Sequence, residues 1–347
     1  MFSIGKLSAL PRNINDIRAL LKALNIKPLN QEVQQELQAR VAIVGAVNTG
    51  KSTLLNYLIG KSVSKVSAVP GTTQTNIEKS VGPFDLIDTP GFGDQSQPTR
   101  ADIAREAIKA ADLNLLLLDA TNGIRQVDLD LFTELRSRPT RLVVALNKMD
   151  LVASREAEAV VVAVESKLGR SVIPISARTG MNVSERLMPR LVDEQPLLAV
   201  ALGRALPEFR RMVAEKIIRR AATVSLFAGF EPIPGIDIPL LLLGQVRMIL
   251  RIAALYGEEI NSRTARELVA GIAGGMIMRY MGEEAAKFIP GPGWVISAGF
   301  AAAGTYAIGQ VAREYFESGK RIPVEELRGR YEQIVAERRK KKVTGGK

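Results

Sequence analysis

The stretch AIVGAVNTGKST, residues 42–53, determines how the first two-thirds of the sequence are interpreted. A short apolar run ends at Gly45, a turn continues to Gly50, and Lys51 and Ser52 open a stretch with helical spacing. Glycines let successive backbone N–H groups in such a turn point at one anion, and the N-terminus of the next helix favours the same charge. The spacing matches the phosphate-binding pattern G-x-x-x-x-G-K-[ST]. We therefore predict a nucleotide here, with Lys51 at the β- and γ-phosphates and Ser52 on Mg²⁺.

Further apolar runs predict the sheet that presents this turn. Short runs rich in leucine and β-branched residues, bounded by Gly, Pro, Asp or Asn, start at residues 41, 83, 113, 141 and 171. Helical patterns such as TRADIAREAIKAA and SREAEAVVVAVESKLG lie between them. This alternation predicts an α/β fold with a mostly parallel sheet and helices on both faces. Ligands of such sheets bind at the carboxyl ends of the strands.

Two further motifs end predicted strands. In DTPG, residues 88–91, the Asp88 carboxylate can hold Mg²⁺ through water, and the Gly91 amide can sense a γ-phosphate. In NKMD, residues 147–150, Asp150 can accept two hydrogen bonds from the N1 and N2 edge of guanine. Adenine cannot supply that pair of donors, and an unmet buried carboxylate is costly. The base is therefore predicted to be guanine.

This order of motifs resembles the Ras-like GTPase fold, and within it the bacterial Era/TrmE-like branch, over residues 40–195. PGTTQT at 70–75 resembles the switch I signature of that branch, and SAR at 176–178 resembles its last guanine-contacting loop. The resemblance implies GTP/GDP and Mg²⁺ as cofactors and GTP hydrolysis as the reaction. It also implies that Thr73 is the switch threonine on Mg²⁺, although Thr72 is an adjacent rival.

The resemblance assigns further roles around the base. Asn147 would steady the loops, the stem of Lys148 would cover the base, and the Ala177 amide would bind guanine O6. The predicted catalytic residues are Lys51, Asn48 and Thr73, and the predicted Mg²⁺ ligands are Ser52, Thr73 and Asp88. The predicted nucleotide-binding set is Asn48, Thr49, Gly50, Lys51, Ser52, Thr53, Gly91, Asn147, Lys148, Asp150, Ser176 and Ala177.

Phe92 departs from the Ras pattern, which places a water-orienting glutamine just after the switch II glycine. An apolar ring cannot position water, so hydrolysis needs another device or is very slow. In some members of the Era/TrmE-like branch, an asparagine at the position of Asn48 ligates K⁺, whose charge acts where an arginine finger otherwise would. The resemblance thus implies potassium-stimulated hydrolysis, with a homodimer formed through the G domain. The alternative is an asparagine that the loop merely tolerates.

Composition narrows the chemistry. The chain has neither cysteine nor histidine, which excludes disulfides, thiolate catalysis, histidine bases and histidine-ligated zinc. The formal charge of +11 indicates anionic partners, namely nucleotide, RNA or acidic lipid. The N-terminal MFSIGKLSAL has too short an apolar run for a signal peptide, which favours a cytoplasmic location.

The last third has a different pattern. It is rich in Ala, Gly and Leu, and proline clusters at 231–239 and 288–294 divide it into helical hairpins, so we predict an all-α domain. Residues 205–320 resemble a bacterial domain of unknown function shared with YcjF-like inner-membrane proteins. The predicted domains are an N-terminal helical segment at 1–39, the GTPase domain at 40–196, a helical, membrane-associated domain at 197–320 and a basic tail helix at 321–347.

Three interpretations of the helical domain remain open. Residues 288–312 carry no charge, which favours a membrane-embedded or re-entrant hairpin at the inner face of the cytoplasmic membrane. A soluble bundle is the second interpretation, and an RNA-binding appendage of the Era type is the third. The only G-x-x-G candidate for RNA, GIAG at 271–274, is apolar in both middle positions, which counts against RNA. A GTP-binding module with negligible turnover is a further alternative for the whole chain.

Overall fold

The computed structural model describes residues 14–23, 27–60, 79–88, 105–228, 237–258, 268, 270, 293–319 and 322–344. These residues divide into two compact units. The sheet unit comprises residues 35–213, and the helical unit comprises residues 1–34 with 214–347. The domain boundaries predicted from the sequence differ from the limits of these units and lie at 39/40 and 196/197.

The described residues of the sheet unit form six strands: β1 (Val41–Gly45), β2 (Lys79–Val81), β3 (Phe84–Asp88), β4 (Leu113–Asp119), β5 (Arg141–Asn147) and β6 (Ile173–Pro174). Their order across the sheet is β2-β3-β1-β4-β5-β6. Only β2 is antiparallel, to β3, and the other pairs are parallel. The prediction of a mostly parallel sheet is therefore confirmed. The carboxyl ends of β1, β4 and β5 lie side by side, so the loops that follow them share one edge.

Helices cover both faces of this sheet, as predicted. They are α3 (Lys51–Gly60), a helical stretch at 105–110, α4 (Gln126–Arg136), α5 (Ala157–Leu168), α6 (Met188–Glu194) and α7 (Leu198–Ala205). One face packs Val44, Leu116 and Val144 against Ile108, and against apolar side chains of α4 and α5. On the other face, α3 packs on β1 and β3, and α6 packs on β5. Because β1 and β4 are buried on both faces, they are apolar almost throughout.

Two strands differ from the sequence prediction. The edge strand β2 was not predicted, because its three residues, KSV, form no apolar run. It pairs with β3 through the turn at Gly82 and Pro83. The run from residue 171 yields only the two residues of β6, in which Pro174 cannot donate a ladder hydrogen bond.

The helical unit contains α1 (Ile14–Ala23), most of α8 (Arg210–Ala228), α9 (Asp237–Leu255), α10 (Gly293–Glu317) and α11 (Val324–Thr344). The part of α8 that belongs to this unit begins at Ala214. Helix α2 (Lys27–Leu37) begins here, with Pro28 in its first turn, where a missing N–H costs no helical bond. Every described element after β6 is helical, which confirms the all-α prediction. None of the described helices, α10 included, reaches the length and hydropathy needed to cross a membrane.

Candidate guanine-nucleotide site

The turn between β1 and α3 is folded around its lysine. Lys51 is 5% exposed, and its Nζ donates hydrogen bonds to the carbonyls of Gly45 at 2.8 Å and Ala46 at 3.0 Å. The Thr49 hydroxyl also donates to the Ala46 carbonyl, at 2.9 Å. The turn's carbonyls thus face these side chains, which fits an opposite, anion-facing role for its N–H groups.

The backbone conformation and surroundings of Gly50 are suited to a phosphate-binding turn. Its φ of +94° lies in the left-handed region, and a Cβ added there would overlap the Asn147 side-chain amide. The backbone at Gly50 therefore forms a cradle that no other residue fits, next to the N-terminus of α3. Ser52 and Thr53 are exposed in the first turn of that helix, where a hydroxyl can reach a metal.

Asn147 joins the loops that follow β1, β5 and β6. Its Nδ2 donates to the Thr49 carbonyl at 2.8 Å, and its Oδ1 accepts from the Ala177 amide at 2.8 Å. Asn147 is 2% exposed, so both bonds are shielded from water. One side chain therefore connects the phosphate loop to the two loops predicted to contact the base.

Ala177 and Ser176 already have partners in this conformation. The Ala177 amide donates to Asn147, so contact with guanine O6 requires that this hydrogen bond be shared or exchanged. The Ser176 hydroxyl is fully buried and accepts from the Thr179 amide at 3.1 Å, which holds the loop's turn. The loop is thus shaped by its own residues before any base arrives.

Lys148 and Asp119 form an ion pair across the ends of β5 and β4. Lys148 Nζ lies 2.6 Å from Asp119 Oδ2. Burial opposes ionisation of Asp119, but hydrogen bonds from Lys148 and Thr121 outweigh it and lower the pKa of this carboxyl. The Asp119 carboxyl is therefore ionised at neutral pH.

Asp150 follows Lys148 in a short 3₁₀ turn, Met149–Leu151. Its side chain is 13% exposed, and Arg178 Nε lies 3.3 Å from its Oδ2. Arg178 is 73% exposed, so it contacts the carboxylate from the solvent side. Asp150 thus lies at the same edge as the phosphate loop, where a base linked to that phosphate can reach it.

Asn48 lies at the exposed tip of the phosphate loop. Its φ is +67°, a left-handed conformation that asparagine tolerates better than most residues. Several predicted positions lie outside the described residues, namely Thr73 with its rival Thr72, Gly91 and Phe92, while for Asp88 only the backbone, at the end of β3 beside Gly45, is described.

Sequence reasoning missed Asp119 and Arg178, which pair with the predicted residues Lys148 and Asp150. Asp119 carried a usable signal, because it is a carboxylate that directly follows the apolar run of β4, as Asp88 follows β3. Arg178 carried none beyond its place after Ala177, since an exposed arginine in a loop is ordinary.

Comparisons with known proteins agree with this geometry. Residues 40–148 match a family described as 50S ribosome-binding GTPase, and residues 197–340 match DUF697, a domain of unknown function. The GTPase Era of Aquifex aeolicus is 30% identical over 199 residues, which are 52% of this chain and 65% of that protein. The tRNA modification GTPase MnmE of Clostridioides difficile is 33% identical over 153 residues, which are 42% of this chain and 32% of that protein.

The chain thus spans between 32% and 65% of the length of these relatives. Among solved structures, a variant of Aquifex aeolicus Era bound to GDP·AlF4⁻ is similar at 26% identity and a TM-score of 0.36, covering 54% of this chain and 67% of that one. The FeoB G-domain of Methanococcus jannaschii is similar at 32% identity and a TM-score of 0.32, covering 44% of this chain and 96% of that one.

The family matches, the parallel sheet and the strand-end motifs agree with one another. Residues 40–148 form a domain that matches the 50S ribosome-binding GTPase family and is similar to GTPases of the Era, Der and MnmE type, and residues 197–340 match DUF697.

Proposed function

We propose that this protein is a guanine-nucleotide switch that hydrolyses GTP slowly and acts at a membrane surface. The observation that carries the proposal is the pair of hydrogen bonds at Asn147, one donated to Thr49 and one accepted from Ala177, which ties the phosphate loop to the base-side loop. Binding a nucleotide across these loops stabilises one arrangement of them, and loss of the γ-phosphate releases the switch segments. Titration with fluorescent GDP and GTP tests it, and absence of micromolar binding would contradict it.

Guanine specificity is assigned to Asp150. Asp150→Asn replaces a double acceptor by an amide, so preference should shift from GTP toward XTP, whose ring presents the complementary groups. Competition titrations with GTP, XTP and ATP measure the shift. Asp130→Asn, an exposed carboxylate on α4, is the matched control and should leave the order of affinities unchanged. Unaltered guanine preference in Asp150→Asn would refute this assignment.

Mg²⁺ is proposed to bind Ser52 and Thr73 directly and Asp88 through water. Ser52 is exposed at the start of α3, which is compatible with this role. When bound, the ion neutralises charge on the β- and γ-phosphates. In Mg²⁺, Ser52→Ala should weaken GTP binding more than GDP binding. In EDTA, the variant and the unaltered protein should bind each nucleotide with equal affinity.

Potassium is proposed to bind Asn48 and to stimulate hydrolysis, in a homodimer formed through the G domain. An asparagine at position 48 has two possible roles, as a ligand of K⁺ and as a residue that tolerates the left-handed backbone conformation found there. One substitution distinguishes these roles. Asn48→Gly keeps access to that backbone conformation but removes the amide oxygen. A K⁺ ligand predicts loss of stimulation in Asn48→Gly, whereas a conformational role predicts normal rates. Equal phosphate release in KCl and NaCl by the unaltered protein would refute the potassium proposal.

The proposed output is contact with anionic lipid at the cytoplasmic face of a membrane. The net charge of +11 and the basic end of α11 support it, since each basic residue near an anionic surface contributes about 1 kcal/mol. Arg330 anchors α11 to α10 through Glu314, at 2.9 Å. Fractionation with alkaline and detergent washes would distinguish soluble, peripheral and embedded forms.

A ribosome- or RNA-associated role is the second candidate, favoured by the description of the family that residues 40–148 match. Liposome flotation and RNA pulldown at matched salt separate the two outputs. Binding to RNA without binding to vesicles would replace the membrane proposal. Steady-state phosphate release at the level of a blank would instead indicate a nucleotide-binding module with negligible turnover.

A further inference from the structure

Asp119 concentrates hydrogen bonds at the end of β4. Its side chain is 3% exposed, and it accepts from Lys148 Nζ at 2.6 Å, from the Thr121 amide at 2.9 Å and hydroxyl at 2.6 Å, and from Asn122 Nδ2 at 2.8 Å. Asp119 lies opposite Asn147 in the parallel pairing of β4 and β5. The carboxylate is therefore fixed in position by its own loop, independently of Lys148.

Lys148 has a strained backbone at the end of β5. Its φ of +67° is left-handed, a conformation that is unfavourable for a non-glycine residue. The Leu151 amide bonds to its carbonyl at 3.0 Å, and the Ala120 amide bonds to the Asn147 carbonyl at 2.9 Å. With this backbone, the lysine side chain turns back from β5 toward β4 instead of continuing along the strand.

The direction of that side chain is significant because of the strand order. β4 lies between β5 and β1, and β1 leads into the phosphate loop. The Asn147 amide reaches from β5 to the phosphate loop, and the Lys148 stem extends from β5 to β4 alongside it. The stem therefore lies across the strand ends, between the loop at Asp150 and the phosphate loop.

We infer that Asp119 is a positioning residue for the base: it holds the ammonium of Lys148 at the end of β4, so that the lysine's apolar stem forms a fixed surface against which the base stacks. This inference rests on the proposed guanine-nucleotide site, and it assigns to that site a residue from a strand that carries none of its motifs. Without the carboxylate, the four-carbon stem is free to leave the strand ends, and binding must then order it.

A double-mutant cycle on GDP affinity tests the inference. Asp119→Asn keeps the shape of the side chain and removes its charge, and we expect GDP binding to weaken about tenfold, the size of one lost charge-assisted hydrogen bond. Lys148→Met keeps an apolar stem and removes the ammonium. If Asp119 acts through Lys148, the double variant binds GDP no more weakly than Lys148→Met alone. Additive losses in a protein that binds GDP would overturn this inference and leave the proposed function intact.

Two controls separate positioning from a general loss of structure. Thr121→Val removes one donor to the same carboxylate without touching Lys148, and GDP affinity should stay within about twofold. Melting temperatures without nucleotide show whether Asp119→Asn is folded. If it is not folded, the same cycle is measured with Asp119→Glu, which displaces the charge by one methylene group. Failure of the unaltered protein to bind any guanine nucleotide would overturn the proposed function and this inference together.

Discussion

The two units of the molecule use buried polar groups in different ways. In the sheet unit, side chains at the ends of β4 and β5 reach loops far along the chain, as Asn147 reaches Thr49. In the helical unit, such groups bond to one another between helices: Thr305 donates to Ser225 at 2.9 Å and accepts from Gln245 at 3.2 Å. All three of these helix residues are buried. The first arrangement ends at one exposed edge, whereas the second is enclosed in a helical core.

This difference separates a binding site from a packing device. Buried hydrogen bonds between helices specify one helix register, because sliding by a turn leaves both partners unmatched. Polar groups at the carboxyl ends of parallel strands, beside an exposed loop, are placed where ligands of such sheets bind. We therefore assign ligand binding to the sheet unit and register to the polar contacts of α8, α9 and α10.

The largest expected effects come from one glycine in each unit. Gly50→Ala forces a Cβ into the Asn147 amide at a φ of +94°, and we expect GDP affinity to fall about a hundredfold from backbone strain and the lost loop contact. At Gly309, on α10, an added Cβ would lie 2.7 Å from Ile218 and 2.9 Å from Met248. Gly309→Ala should destabilise the helices by about 1–3 kcal/mol and leave GDP affinity unchanged.

Fluorescent GDP titrations and thermal melts of the same two variants check this pair. Loss of GDP binding in a folded Gly309→Ala protein would show that the helical core controls the site, and the division of roles would then fail. Normal GDP affinity in Gly50→Ala would show that the cradle at Gly50 is not needed.

The sequence predicted the sheet and the phosphate loop because both are written in local patterns. The five predicted apolar runs correspond to β1, β3, β4, β5 and β6, and the glycine-lysine spacing marks the turn before α3. It could not predict β2, whose pairing with β3 depends on a neighbour and not on its own three residues. The partners of Asp119 were also hidden, since Lys148 becomes its neighbour only when β4 and β5 pair.

Asn114 is an exception to the pairing of buried polar groups, and it gives the next largest expected effect. It lies in β4, is fully buried, and neither its Nδ2 nor its Oδ1 has a hydrogen-bond partner. Asn114→Leu removes two desolvated polar atoms from a face shared with Leu116, and should stabilise the sheet unit by about 1–2 kcal/mol. Urea unfolding measures the gain, with the exposed Asn56→Leu as control. A loss of stability would mean that water or crowding at this position outweighs the removed polarity.

The pH dependence of the helical unit depends on Glu215. Burial opposes its ionisation, but hydrogen bonds from Arg219, Gln310 and Tyr306 outweigh it, so the pKa lies below its ordinary value of 4.5. A lowered pKa contributes stability above that ordinary value, and the contribution is lost as the pH falls through the lowered pKa. Glu215→Gln should therefore be less stable at neutral pH and lose less on acidification to about pH 3, as measured by helical circular dichroism. Parallel pH curves for both proteins would contradict this assignment.

Arg178 should give the smallest effect, because its ion pair with Asp150 lies at the rim of the site. The guanidinium is 73% exposed and the carboxylate 13% exposed, so water and salt screen the attraction. Arg178→Gln should weaken GDP binding by less than about threefold at low salt, and the difference should vanish at high salt. GDP titrations at two salt concentrations measure it, with Arg155→Gln, an arginine that is 86% exposed and paired with Glu156, as control. A tenfold loss that persists in high salt would place Arg178 against the base itself, and the rim of the site would then belong to the binding surface.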